Sequence, residues 1–282
     1  MTKIAIVTDS TASVPDSFLK RYPIYVAPQV LVWGNETFED GVDIHPSEFY
    51  ARLKTSKTMP TTSQVTPGSF QKVFSRLLEQ DYQILAVLIS EKLSGTVASA
   101  VQAKEMFPGA PIELVDSHTT SLAMGFQIFT VAEAIEKGAD LGECKALAER
   151  ASNYVGVCFA VDTLEFLYRG GRIGGGSRFL GTALNIKPIL EVVNGRVEAV
   201  ERVRTRKKSL ERMVELVEQR IAGRKPVRLG ALYTDMPDEA KELLADASAR
   251  IETVQCVISE VSPVIGTHAG PGTVGLAFMA GI

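Results

Sequence analysis

The sequence predicts an α/β protein of two domains: an open parallel sheet flanked by helices over residues 1–157, and a smaller α+β domain with a mixed sheet over residues 158–282. Three observations predict it. The chain is longer than one hydrophobic core comfortably fills, which favours two domains of about 100 to 170 residues each. Its first half alternates short apolar runs with helical patterns, the mark of parallel strands covered by helices on both faces. Its second half carries a hairpin signal, Asn194-Gly195, that interrupts this alternation.

The first strand is read at Ile4–Thr8, from the run Ile4-Ala5-Ile6-Val7, which is too brief for a signal peptide. Further strands are expected at Tyr25–Val32, Gln83–Ile89 and Ile112–Val115. Between them Phe70, Val73, Phe74, Leu77 and Leu78 fall on one helical face, and Pro67 is placed to open that helix. A second helical pattern runs from Val97 to Met106. The second domain opens with an apolar strand over Val155–Val161 and a turn-rich stretch, Arg169–Ser177. The segments Ile186–Val193 and Arg196–Val203 then meet at Asn194-Gly195, a pair suited to the tight turn between antiparallel strands. A helix with Leu210, Met213, Val214, Val217 and Ile221 on one face follows. After it come a strand at Leu229–Tyr233, a helix over Asp238–Arg250 and a strand over Val254–Val261. No Pro- or Ser-rich linker marks the boundary near residue 157, so the halves are expected to pack closely.

The balance of 30 basic and 33 acidic residues, a net charge of -3, offers nucleic acid no general attraction. Cys144, Cys158 and Cys256 are odd in number and lack paired spacing, which points to buried thiols in a reducing cytoplasm, with no disulfide and no zinc. His45, His118 and His268 are scattered and supply no metal constellation. No stretch approaches the ~20 apolar residues that cross a bilayer, so a soluble, cytoplasmic protein without a transmembrane segment is expected.

Four clusters carry polar chemistry. Pro60-Thr61-Thr62-Ser63-Gln64, ahead of the helix opened by Pro67, reads as a capping stretch or as a set of hydroxyl donors. Leu93-Ser94-Gly95-Thr96 stands at a helix start. Ser94 there is either a plain N-cap or part of an anion site, because the free N–H groups and the helix dipole favour negative charge. Arg169-Gly170-Gly171-Arg172-Ile173-Gly174-Gly175-Gly176 lacks the closing Gly-Lys-Ser/Thr of a P-loop, which argues against a nucleotide cofactor. It reads as a flexible connector, or as two guanidiniums for phosphate or an acidic partner. His268 lies in Gly266-Thr267-His268-Ala269-Gly270-Pro271-Gly272-Thr273, read as a loop over a rigid scaffold.

Together these clusters resemble the DegV family of bacterial lipid-binding proteins over essentially the whole chain. The carriers in order are Val7-Thr8-Asp9-Ser10-Thr11, Thr62-Ser63-Gln64, Leu93-Ser94-Gly95-Thr96, Arg169-Gly170-Gly171-Arg172-Ile173, Asn185-Ile186-Lys187-Pro188-Ile189-Leu190 and His268-Ala269-Gly270-Pro271-Gly272. The resemblance implies a ligand tunnel between the two domains that holds a long-chain fatty acid, palmitate-like or oleate-like. It implies that Thr62 and Ser94 hydrogen-bond the carboxylate with Ser63, Gly95 and His268 close by, and that Arg169, Arg172 and Thr96 are candidates for phosphate or partner contacts. It further implies a non-catalytic role as the lipid-binding subunit of a two-component fatty acid kinase, whose separate ATP-dependent subunit phosphorylates the carboxylate. The chain departs from the family at Val65, where proline is usual, and at Glu91 and Lys92, which place charge at the rim of the head-group site or its docking surface.

Two alternatives stand beside this reading. A serine hydrolase of acyl esters would use Ser94 as nucleophile, His268 as base and Asp9 or Asp116 to orient it, although Leu93-Ser94-Gly95-Thr96 is not a Gly-x-Ser-x-Gly elbow. A non-catalytic lipid sensor differs from the kinase subunit only in its partner. Acyl chain length and saturation depend on the shape of the tunnel end, which no motif encodes.

Overall fold

The computed structural model describes residues 3–174 and 187–282. The first part runs β1 (Lys3–Asp9), a 3-10 turn (Ser10–Ala12), α1 (Asp16–Arg21), β2 (Ile24–Ala27), β3 (Val30–Trp33), β4 (Glu36–Glu39), α2 (Pro46–Thr55) and β5 (Thr61–Ser63). It continues through α3 (Pro67–Leu78), β6 (Tyr82–Leu88), α4 (Thr96–Glu105), β7 (Ile112–Asp116), α5 (Ser121–Glu136) and α6 (Leu141–Ala151). Strands β2-β1-β6-β7, in that order, form the parallel sheet, its interior strands apolar on both sides because helices cover both faces.

The expected strand Tyr25–Val32 is two strands in two sheets. Pro28 has no N–H to donate to a ladder, and the chain leaves the parallel sheet there. Residues 30–33 pair instead with β4 and β5 in a three-stranded antiparallel sheet, order β4-β3-β5. This small sheet also corrects the reading of Pro60–Gln64 as a cap. Thr62 stands on β5 opposite Leu31, and Thr66 is the residue that caps α3, accepting from the N–H of Ser69 at 3.1 Å.

The second part contains β8 (Val155–Ala160), α7 (Glu165–Arg169), β9 (Lys187–Val193), β10 (Arg196–Val203), α8 (Arg206–Ile221), β11 (Val227–Tyr233), α9 (Pro237–Arg250), β12 (Gln255–Glu260), α10 (Pro263–Ala269) and β13 (Val274–Ala280). Its six-stranded sheet has the order β10-β9-β8-β13-β11-β12 and is mixed, with β11 and β12 parallel across the α9 crossover and the other neighbours antiparallel. The predicted fold class is therefore the observed one. Asn194 and Gly195 turn the β9–β10 hairpin with φ of 48° and 80°, the left-handed pair that a tight hairpin requires. Of the residues named above, Gly175, Gly176, Ser177, Asn185 and Ile186 lie outside the described residues.

Three further features differ from expectation. The C-terminal strand β13, buried along its whole length, is the spine of the second sheet between β8 and β11. His268 sits in the last turn of α10 rather than in a loop. Cys256 is exposed, on the outward face of the edge strand β12, while Cys144 and Cys158 are buried.

Helix α5 joins the two halves. It is apolar on nearly all sides, as a helix must be when no face meets water. Met124, Ile128, Val131 and Ala132 pack into the core under β1 and β6. Leu122, Phe126 and Phe129 pack into another core with Val157, Leu232, Ala277 and Met279 of the second sheet. No described helix is long and apolar enough to cross a membrane.

Candidate functional site

The cleft between the two sheets converges on polar groups brought from five places in the chain. Strand β5 presents Thr62 and α10 presents His268; Thr62 Oγ1 and His268 Nε2 are 2.7 Å apart. The ring of His268 is packed against Gly170, where a Cβ would fall 2.0 Å from Nδ1, so the closeness of this approach excludes any side chain at position 170. Burial, assisted by the nearby Arg172 guanidinium, pushes the His268 pKa down to about 4, and the imidazole is neutral at neutral pH.

Ser94 follows β6 in the turn before α4. It does not cap that helix: Gly95 is the N-cap, and Ser94 Oγ lies 2.9 Å from Thr96 Oγ1. Thr96 is fully buried beneath it, and Gly95 rests against the side-chain amide of Gln64. Ser94 Oγ also donates to Gln29 Oε1 at 3.5 Å. Gln29 is oriented by Asp9, because a carboxylate only accepts, so the amide turns Nε2 to Asp9 Oδ1 at 3.2 Å and leaves Oε1 for Ser94.

Asp9, at the end of β1, is wholly buried. Its carboxyl accepts from Thr11 N (3.0 Å), Thr11 Oγ1 (2.6 Å) and Ile89 N (2.8 Å), yet burial outweighs these bonds and raises its pKa. Arg172 completes the head of the cleft. Its Nε donates to Leu93 O at 3.1 Å and its Nη1 to Gly170 O at 2.7 Å, which ties the residue before Ser94 to the glycine behind His268.

Away from this head the walls are apolar, formed by Ile89, Leu93, Val157, Phe159, Leu167, Val192, Val197, Leu232, Val261, Val264 and Ile265, around a narrow cavity of about 90 Å³. Thr11, Gln29, Thr120 and Ser121 line it as well. Ser121 has φ of 56°, a left-handed conformation uncommon outside glycine, at the start of α5.

Of the residues singled out in the sequence, Thr62, Ser63, Ser94, His268 and Arg172 line one cleft. Arg169 does not join them; it pairs with Glu165 at 2.6 Å on the exposed side of α7. Gln29 escaped the sequence reading because it was assigned to the middle of a strand. The groups of the hydrolase reading are not assembled. Nδ1 of His268 has no hydrogen-bond partner among the described residues, Asp9 spends both oxygens on Thr11, Gln29 and Ile89, and Asp116 pairs with His118. Among the described residues no carboxylate orients the imidazole, and Ser94 bonds to Thr96 and Gln29 rather than to it.

Three comparisons place this architecture. A family model described as "Uncharacterised protein, DegV family" matches residues 3–281. A DegV domain-containing protein of Caldanaerobacter subterraneus is 33% identical over 278 residues, covering 99% of each chain. Among solved structures, a DegV family protein from Thermus thermophilus, described for its fatty acid binding, superposes with a TM-score of 0.93 at 37% identity over 99% of each chain. DegV of Bacillus subtilis, described as a fatty acid binding protein, superposes with a TM-score of 0.88 at 30% identity over 99% of this chain and 100% of its own. With the match running from β1 to the end of β13, the chain belongs to the DegV family.

Proposed function

We propose that this protein holds a long-chain fatty acid in the cleft between a domain of residues 1–157 and one of residues 158–282, and presents its carboxyl group to a separate ATP-dependent kinase subunit. The carboxyl group is held by Thr62 and Ser94, with His268 and Arg172 behind them, and the acyl chain runs along the apolar walls. The observation that carries this reading is the make-up of one cleft, a group of hydroxyls, His268 and Arg172 beside mostly apolar walls. The relatives described as fatty acid binding proteins support it.

The energetics agree. Burying an acyl chain gains about 0.8 kcal/mol per methylene before association and ordering costs. Desolvating a carboxylate opposes this by several kcal/mol unless hydrogen bonds replace its hydration. The Thr62 and Ser94 hydroxyls can supply those bonds, and the Arg172 guanidinium offsets the negative charge without a direct salt bridge. Ser63 and Gln64, both exposed, rim the cleft next to Thr62, which leaves the head reachable from outside. The kinase partner rests on the family resemblance. A carboxylate held by hydroxyls rather than by a buried ion pair suits it, since the same donors accommodate an acyl phosphate.

The test is mass spectrometry of the organic extract of protein purified without added lipid, beside a Thr62→Ala/Ser94→Ala double variant. Wild type is expected to yield one fatty acid per chain, and the variant to lose most of it while keeping its far-UV circular dichroism. An empty, folded wild type would reject the ligand. Trapping of the acyl phosphate with hydroxylamine, after incubation with cell extract and ATP, separates the kinase subunit from a lipid sensor.

A further inference from the structure

The cleft meets an interruption in the second sheet. Strand β8 pairs with β13 over Val155–Ala160, and β9 pairs with β10 from Lys187 to Val193. The ladder between β8 and β9 is much shorter. It joins Ala160 to Ile189, Phe159 to Leu190 and Cys158 to Glu191, then stops, although both strands continue. Val157 and Val192 are next in line and are not paired.

The separation has a cause. The tip of the β9–β10 hairpin is tied to the first domain instead of to β8. Ser90 Oγ donates to Gly195 O at 3.0 Å and Lys92 Nζ donates to Asn194 O at 3.0 Å. These bonds hold the tip of the hairpin against the turn that follows β6, beyond the last paired position of β8 and β9. The opening is a second cavity that reaches both sides of the sheet, since Val155 and Val157 point to one face of β8 and Gly156 and Cys158 to the other. The main cleft and this opening share two lining residues, Val157 and Val192.

On the reading that the main cleft holds a fatty acid, we infer that Val157 and Val192 form the stop against which the methyl end of the acyl chain rests, and that the gap between β8 and β9 is where a longer chain would emerge. A strand pair zipped to its end would close the cleft with continuous backbone, and chain length would be set rigidly. Here the side chains of Val157 and Val192 line both the apolar cleft and the opening, so on this inference their volume sets the length accommodated. Each methylene that gains burial strengthens binding about fourfold, which makes the bound-length distribution a sensitive readout.

The experiment loads delipidated protein with an equimolar ladder of saturated fatty acids of graded length and reads the retained species by mass spectrometry. It compares wild type with Val157→Ala/Val192→Ala, Val157→Phe, Val192→Phe and Leu232→Phe, the last on strand β11. The alanine pair is expected to shift the distribution toward longer chains, by about fourfold for each methylene newly accommodated. Either phenylalanine at 157 or 192 is expected to shift it toward shorter chains, and two such variants guard against one failing to fold. A wild type that retains acids with a length distribution unmoved by the alanine pair and by the folded phenylalanine variants overturns the inference and leaves the fatty-acid reading intact. A shift produced by Leu232→Phe alone overturns it equally, by placing the chain end elsewhere. A wild type that retains none of the ladder rejects the fatty-acid reading itself.

Discussion

Asp40, just beyond β4, is buried, and its carboxyl accepts from Ser10 Oγ at 2.7 Å. Burial pushes its pKa up from 3.8 to about 7, assisted by the charge of Asp9 and opposed by the hydroxyls of Ser10 and Ser262 and the N–H of Val264. The native state thus keeps a proton that the unfolded chain releases. The stabilisation it contributes is complete below about pH 3.8, declines as pH rises to about 7 and is constant above that. Asp9 acts in the same direction, whereas His268, with its lowered pKa, contributes stability that is lost as pH falls from 6.5 to about 4. Comparing wild type with Asp40→Asn isolates one member of this opposed set. Asparagine still accepts from Ser10 but does not ionise, so urea denaturation is expected to find the variant gaining on wild type as pH is raised from about 4 to above about 7. A difference independent of pH would show that Asp40 titrates as it does in the unfolded chain. The hydroxyls of the cleft were legible because Thr62 and Ser94 occur in recognisable runs. Gln29 and Arg172 were not placed, because their positions depend on a buried carboxylate and on a carbonyl, 20 and 79 residues away in sequence.

At the scale of elements, the β9–β10 hairpin shows how one turn can close a strand pair and tie it to another sheet. Asn194-Gly195 was legible as a turn from its backbone preference alone, but the contact of its carbonyls with Ser90 and Lys92 was not. Lys92, read in the sequence as a charge at the site rim, holds this tip. Replacing the buried Ser90 by alanine leaves Gly195 O without its donor and is expected to cost about 1–3 kcal/mol in urea denaturation. Hydrogen exchange should quicken at residues 193–196 and not in β11 or β13; uniform exchange would mean that the tip is held by other contacts. Elements with clear periodicity, α3, α8, α9 and the strands β1, β6 and β7 of the parallel sheet, were found where expected. The small antiparallel sheet was missed because β5 is only three residues long and its composition, Thr61-Thr62-Ser63, is that of a helix cap. The split of β2 from β3 at Pro28 was hidden by an apolar run that continues across it.

The molecule as a whole is organised around α5, which packs on both the parallel and the mixed sheet. Ion pairs add ties between the halves, Arg228 with Glu133 at 2.7 Å and Lys54 with Asp235 at 3.0 Å. A ligand bound between these halves stabilises only the native state. On the proposed fatty-acid reading, delipidated protein is expected to unfold at lower temperature than protein loaded with fatty acid, with a difference of about 2.7 kcal/mol when free ligand exceeds the dissociation constant about a hundredfold. Equal midpoints in a calorimeter, with loading verified by mass spectrometry, would show that occupancy does not couple to the interdomain packing.

The sequence by itself determined the α/β class, the change from a parallel to a mixed sheet, the hairpin at Asn194-Gly195 and the hydroxyls Thr62 and Ser94. Each of these depends on local periodicity, backbone preference or a short run of residues. The tertiary structure decided which distant groups meet. It set His268 against Thr62 across 206 residues, made the last strand the spine of the second sheet, and left β8 and β9 apart where Val157 and Val192 face each other. Those outcomes follow from long-range pairing and burial, in which the environment of a residue is fixed by chain segments that its own neighbourhood in sequence does not contain.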